Sequence, residues 1–318
     1  MFLILLMQLL YGSTFTISKI LVGFASPMFV IGIRMTLAGG LLTTVALFFN
    51  KYRQRFDKVS WFYILQISLF GICLPYLLRY WSLQFLPVIK TAIIYNTAPF
   101  GTFIFSYFLL GEKSTPRKWL GLAIGFAAIL PVLIAGRDLG TRAIGFLSWP
   151  ELAMLAAVLS FSYSWVIMKK LMTRTNGSPF FINGISMFLG GLCALGASAT
   201  FEKVHTIAAP GKFFLWLALI ILITNVICYN LYAYLLNRYS ATLLSLAGLV
   251  APISAALTSR YLLGERLTID VLISGICVLI GFAVFYYEEL QQANKQLQTT
   301  IHKEKAASAL AKDGKSSA

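Results

Sequence analysis

The stretch APFGTFIFSYFLLGEKST, residues 98–115, returns 153 positions later as APISAALTSRYLLGERLT, residues 251–268. Ala98-Pro99, Leu109-Leu110-Gly111-Glu112 and Thr115 have their counterparts in Ala251-Pro252, Leu262-Leu263-Gly264-Glu265 and Thr268. Both copies are apolar between the shared residues, and both close on Gly-Glu, where glycine takes the left-handed conformation that ends a helix. A chain that repeats an apolar helix at one long period is built of two halves.

Composition leads outward from the repeat to the same class. Of 318 residues 58% are hydrophobic and 12% charged, with a mean hydropathy of +0.79, which excludes a soluble domain of this size. A bilayer-spanning helix takes about 20 mostly apolar residues. Pro, Gly and charge clusters mark off ten such segments, near 2–21, 27–49, 61–83, 87–110, 119–135, 150–168, 179–200, 212–236, 241–263 and 269–287, or nine if the second or eighth connection is misread. The predicted fold is an all-α integral membrane protein of about ten transmembrane helices arranged as two inverted five-helix repeats. Residues 1–135 form the first repeat, 136–149 an outer connection, 150–287 the second repeat, and 288–318 a disordered cytoplasmic tail rich in Gln, Lys, Ala and Ser. The first segment has no basic region after Met1 and no small-x-small site before Pro27, so it reads as a membrane helix, not a cleaved signal peptide.

The formal net charge of +15 follows the membrane. With the N-terminus inside, cytoplasmic connections hold Lys51, Arg53, Arg55, Lys58, Lys113, Arg117, Lys118, Lys169, Lys170, Arg174 and Arg238, and the tail adds five lysines from Lys295 to Lys315. The opposite face holds only Arg137, Arg142, Lys203, Lys212, Arg260 and Arg266. The positive-inside rule therefore puts both termini in the cytoplasm of a bacterial inner (plasma) membrane protein, and the charge excess is topological, with no nucleic-acid partner implied.

Cys73, Cys193, Cys228 and Cys277 are isolated within predicted helices, and His205 and His302 lie outside them. No metal-ligand spacing, redox pair, phosphate loop or nucleophile elbow is present, so the expectation is no metal, no cofactor and no enzyme.

Tyr11-Gly12-Ser13 with Lys19, Pro27 with Arg34, Ala98-Pro99 and the two Gly-Glu pairs resemble the EamA family of the drug/metabolite transporter superfamily, over nearly the whole chain up to Tyr287. The family usually shows Trp-Gly in the first helix where this chain has Tyr11-Gly12, and Tyr163-Ser164-Trp165 stands in the corresponding part of the sixth. The resemblance implies a ten-helix carrier with a central cavity opened alternately to each side. Its members move amino acids and other metabolites, sugar phosphates and nucleotide sugars in relatives, drugs, and S-adenosylmethionine in some intracellular bacteria, so membership names a mechanism and not a cargo.

For cargo, the informative residues are ionisable groups inside the membrane, each costing on the order of 3 kcal/mol at a helix centre. Lys19, Arg34, Arg79 and Lys90 are four such cations, all toward the outer ends of their helices, and they point to one positive vestibule. Glu112, Glu151, Glu265 and Asp270 sit at predicted helix ends, so at most one or two reach these cations. An anionic group on the cargo is then the natural counterion. Against this stands snorkelling of Lys19, Arg79 and Lys90 to the headgroups, and a structural role for Arg34, roughly 10 Å below its helix start.

Neutral residues extend the candidate site. Asn225, Tyr229 and Tyr232 share a helix face, as do Tyr76, Arg79 and Tyr80; Asn96 lies at mid-depth, and Tyr163 and Trp165 offer rings to an aromatic cargo. Pro99 and Pro252 read as kinks giving the halves a hinge, and Gly111, Glu112, Gly264 and Glu265 as structural helix ends. Gly121 and Gly125 form a small-xxx-small face, for internal packing or a homodimer.

The leading expectation is a carrier for a small organic anion or zwitterion, amino acids and S-adenosylmethionine-like compounds included. It works by exchange or facilitated movement, because no carboxylate or histidine lies well inside a helix to relay protons. A drug or cation exporter, and a non-transporting scaffold or flippase, are the alternatives.

Overall fold

The structure, a computed structural model, describes residues 2–48, 56–95, 97–111, 116, 119–120, 123, 143–144, 147–175, 179–202, 206–236, 248, 251–265 and 276. In chain order these form α1 (Phe2–Val22), α2 (Pro27–Phe48), α3 (Lys58–Ile67), a π-helical segment (Ser68–Cys73), α4 (Leu74–Leu83), α5 (Val88–Tyr95) and α6 (Ala98–Leu110). After a hairpin of β1 (Ala143–Ile144) and β2 (Leu147–Ser148) come α7 (Trp149–Thr175), α8 (Pro179–Phe201), α9 (Pro210–Ile220), a second π segment (Ile221–Cys228), α10 (Tyr229–Leu236) and α11 (Ala251–Leu263). Among the described residues six helices are long and apolar enough to cross a membrane: Pro27–Phe48, Lys58–Leu83, Val88–Leu110, Trp149–Thr175, Phe180–Phe201 and Pro210–Tyr232. The fifth and tenth predicted spans lie almost wholly outside the described residues, as do Asn96, Glu112, Gly121, Gly125 and the tail.

At four places the structure adds to, or interrupts, the helices read from the sequence. The first is the two-residue hairpin, which pairs Ala143 with Ser148 in the connection between the halves. The second is in the fourth span: α5 ends at Tyr95, Thr97 turns, and α6 starts at Ala98. Pro99 thus stands in a helical first turn, where its missing N–H costs nothing, and not as a kink within one continuous helix. The third and fourth are the π segments in the third and eighth spans. A π turn leaves carbonyls badly placed for their own ladder, and side chains take them up: Ser160 Oγ, from α7, donates to Phe70 O at 2.8 Å, and Asn230 Nδ2, four residues on in the same span, to Val226 O at 2.7 Å. The two π segments begin 153 residues apart, as do α6 and α11, and Gly111 and Gly264 end those helices at φ +66° and +68°.

Helices α2 and α8 pack backbone to backbone because glycine lines both. A Cβ on Gly39 would stand 2.7 Å from Gly184 O, one on Gly32 2.6 Å from Leu195 Cγ, and one on Gly184 2.9 Å from Thr43 N. Rising numbers on α2 meet falling numbers on α8, so the two run antiparallel. Gly32 and Gly39 recur as Gly184 and Gly191, 152 residues on, a spacing readable in the sequence but separate from the 153-residue repeat.

Asp57 caps α3, accepting Ser60 N–H at 3.0 Å and the Ser60 hydroxyl, and pairs with Arg174 at 2.8 Å. The Ser60 hydroxyl first, then Arg174, lower its carboxyl from the usual 3.8 to about 2. A depressed folded-state pKa stabilises above the ordinary value, and that contribution disappears as pH falls through the folded one. In thermal melts, the advantage of the parent over Asp57→Ala is expected to hold down to about pH 4 and vanish near pH 2. An advantage independent of pH would rule out a role for the charge.

Candidate functional site

The helices bring two of the four cations together at the centre and engage the other two with glutamates. Lys19 Nζ meets Glu265 Oε1 at 2.9 Å and also donates to Leu86 O at 2.9 Å. Glu265 further accepts Val88 N–H with both oxygens, at 3.2 and 3.0 Å, so its carboxylate sits at the N-terminus of α5 where the helix dipole favours it. Lys90 pairs with Glu151, which also accepts Ser148 N–H at 2.7 Å and the Ser148 hydroxyl at 2.8 Å at the start of α7. Glu202 does for α2 what Glu265 does for α5, accepting from Met28 N and Phe29 N at 2.9 and 3.0 Å. Two glutamates thus reach the four cations, the most the sequence reading allowed, and among the described residues Arg34 and Arg79 are the two left without a carboxylate.

Arg34, on α2, is fully buried. Its Nε donates to Asn225 Oδ1 at 3.1 Å and its Nη1 to Tyr80 OH at 2.8 Å, while Nη2 has no hydrogen-bond partner among the described residues. Asn225 is presented by the second π segment, its Nδ2 lying 3.5 Å from Met35 Sδ and 3.4 Å from Met187 Sδ. Tyr80 OH also accepts from Ser18 Oγ at 3.0 Å, and Ser18 Oγ in turn lies 3.4 Å from Arg79 Nη2. Two guanidinium groups are thus joined through two hydroxyls. Arg79, on α4 and 2% exposed, is held by rings: its Cζ lies 4.0 Å from the Phe15 centroid, 5.5 Å from Tyr95 and 5.6 Å from Tyr76, and its Nε has no hydrogen-bond partner among the described residues. Among the described residues no carboxylate makes an ion pair with either arginine.

Tyr76 OH and Tyr229 OH meet at 2.7 Å, and they are 153 residues apart, equivalent positions of the two halves in direct contact. Met35 and Met187, 152 apart, flank the one Asn225 side chain in the same way. The arginines break this balance: 153 residues after Arg79 stands Tyr232, and 152 after Arg34 stands Ser186.

Of the residues singled out from sequence, Arg34, Arg79, Tyr76, Asn225 and Tyr229 converge. Trp165 packs on Tyr232 at 4.9 Å and Phe161 at 5.7 Å, continuing a wall that runs through Tyr95. Tyr163, two residues from Trp165 and hence on the other side of α7, packs between Phe70 and Phe105 instead. Ser18, Phe15 and Tyr95 were not among the expected residues. Phe15 and Ser18 are one turn apart on one face of α1, and both lie within a turn of Lys19, the signal that was there to use. Nor did spacing suggest that Cys73 and Cys193 meet, yet their sulfurs lie 3.2 Å apart across the packing of the third span on α8.

The EamA-like transporter family profile matches residues 1–134 and again 148–287. The chain is similar to an S-adenosylmethionine/S-adenosylhomocysteine transporter of Chlamydia muridarum, 33% identical over 295 residues that make up 92% of each protein. It is similar as well to the transporter of that name in Chlamydia trachomatis, 32% identical over 92% of this chain and 90% of the other. A solved crystal structure 19% identical in sequence shares the fold, with a TM-score of 0.63 over 89% of this chain and 94% of that one. With both halves matched, the chain belongs to the EamA-like transporter family, a multi-pass membrane transporter of a small-molecule substrate and not an enzyme.

Proposed function

We propose that this protein is a secondary carrier for a small organic metabolite with an anionic group, of the S-adenosyl amino-acid class, working by alternating access in a bacterial inner membrane. The observation that carries the reading is the buried pair Arg34 and Arg79, each with an unpartnered nitrogen and no ion-paired carboxylate among the described residues. A buried cation costs several kcal/mol unless compensated, and a carboxylate on the cargo supplies both charge and acceptors. The names of the Chlamydia relatives support the substrate class. The equivalent contacts of Tyr76 with Tyr229, and of α2 with α8, support two inverted five-helix repeats, with ten helices in all and both termini cytoplasmic. Arg34, Arg79, Tyr76, Asn225 and Tyr229 form the anion end of the site, and Lys19 and Lys90 act through their glutamates in holding the halves together.

The same centre suits exchange of a sulfonium compound for its neutral thioether. A carboxylate aimed at the sulfur would hold the sulfonium but be left buried and unpaired by the thioether, at a cost of about 3–5 kcal/mol. Aromatic rings accept both, as a cation over the ring face or as a sulfur against the ring edge.

Proteoliposomes test this directly. Uptake of labelled S-adenosylmethionine is expected to rise at least about tenfold when the lumen holds unlabelled S-adenosylmethionine or S-adenosylhomocysteine, the two being similar in effect, and to persist when a protonophore collapses the proton gradient. Uptake abolished by the protonophore would refute exchange, and stimulation by lipophilic cations alone would favour a drug or cation exporter.

A further inference from the structure

Contacts between the halves relate the first helix to the seventh described one. A Cβ on Gly12 would stand 2.8 Å from Ser254 Cβ, and a Cβ on Gly101 3.0 Å from Ser162 Cβ. Gly101 and Ser254 are 153 residues apart, so Gly12 and Ser162 are equivalent, and α1 corresponds to α7 at an offset of 150. At that offset Phe15 corresponds to Trp165, while Arg79 corresponds to Tyr232. The Arg79–Phe15 contact at 4.0 Å therefore has its counterpart in the Trp165–Tyr232 contact at 4.9 Å. One half presents a guanidinium on a ring and the other presents two rings.

A third position enlarges the difference. Tyr95, which flanks Arg79 and stands 5.5 Å from Phe15, corresponds to Gly248 in the second half. Around a Cβ placed on Gly248 the nearest atoms are the amide nitrogen and oxygen of Gln8 at 3.9 and 4.0 Å, ordinary contact distance. At the position that corresponds to Tyr95, then, the second half has no ring, and the Gln8 amide borders it. Trp165 and Tyr232 are both partly exposed although they lie within the helix packing.

We propose that Trp165 and Tyr232 form a purine-binding lobe, the aromatic counterpart of the Arg79 lobe, so that the cargo spans the centre with its carboxylate on the arginines and its base stacked on these rings. The inference rests on the reading of an S-adenosyl amino-acid cargo. Three steps of 5.4 to 5.7 Å, from Arg79 through Tyr95 and Phe161, reach Trp165, a path suited to an amino acid joined to a nucleoside. Stacking reads a base by its π-face, and a side-chain amide such as Gln8 suits the edge of adenine.

The test is equilibrium binding of S-adenosylhomocysteine, methionine and adenosine to the purified protein in detergent, for the parent, Trp165→Leu, Trp165→Phe and Arg79→Gln. Trp165→Leu is expected to weaken S-adenosylhomocysteine and adenosine at least tenfold while leaving methionine within about threefold, and Trp165→Phe to restore most of the loss. Arg79→Gln is expected to do the reverse, weakening methionine and S-adenosylhomocysteine but not adenosine. Equal weakening of all three by Trp165→Leu, or no weakening of any, would overturn the lobe. A parent that binds methionine but no adenosyl compound overturns the lobe and leaves the anion site standing. A parent that binds none of the three overturns the cargo reading itself, and the lobe with it.

Discussion

Replacing Arg34 with glutamine is expected to lower transport at least about a hundredfold while leaving the thermal stability of the empty carrier unchanged or slightly raised. The expectation combines two quantities of opposite sign. Arg34 is fully buried, bonded to Asn225 and Tyr80 with one nitrogen unpartnered, and no carboxylate pairs with it among the described residues. Without cargo, removing such a charge relieves an unfavourable desolvation; with cargo, it removes charge-assisted bonds worth about 1.5–3 kcal/mol each. A guanidinium placed only to hold Asn225 and Tyr80 predicts the opposite pair of outcomes, unaltered transport and a melting temperature lowered by several degrees. Transport into proteoliposomes and thermal melts of the same preparation separate the two, and unchanged kinetics would remove Arg34 from the site.

The largest loss of stability is expected from Gly39→Leu. Its Cβ would stand 2.7 Å from both Gly184 O and Phe188 Cα, atoms of the facing backbone that no rotamer change can move aside. Overpacking of a closed interface costs about 1–3 kcal/mol when side chains can yield, and here the two helices would have to part. The expected result is loss of the monodisperse peak in size-exclusion chromatography. Gly196→Ala, on the same α8 but with nothing within 4 Å of its Cβ position, should elute and melt like the parent. Normal behaviour of Gly39→Leu would mean that α2 and α8 do not touch in the membrane.

What could be read from the sequence was what local rules govern. The membrane class follows from apolar length, and the ends of α6 and α11 follow from Gly111 and Gly264, because only glycine reaches φ near +66° without cost. Arg34, Arg79 and Tyr76 could be singled out because each is polar where water is absent. Partners were harder, since they come from distant segments: that Glu151 would take Lys90 and Glu265 would take Lys19 needed the helix packing. Side-chain direction was the other gap, because two residues along a helix turn by about 200°, enough to send Tyr163 away from the face that Trp165 occupies. The break at Thr97 and both π segments carry no composition of their own; of the displaced carbonyls, Phe70 O is met by Ser160 from α7 and Val226 O by Asn230 farther along its own span.

Those π segments also bear on the history of the chain. A π turn encloses one residue more than an α turn, so each segment adds a residue to its span. They begin at Ser68 and Ile221, and the same 153-residue offset continues to Tyr76 and Tyr229 and on to Ala98 and Ala251. Separate insertions after the two halves had formed would have had to strike the same turn twice to keep that offset. The matched offset is the pattern expected if the extra residue was already present before one half was copied into two. Any half-length relative of this chain should then carry the bulge at this same turn.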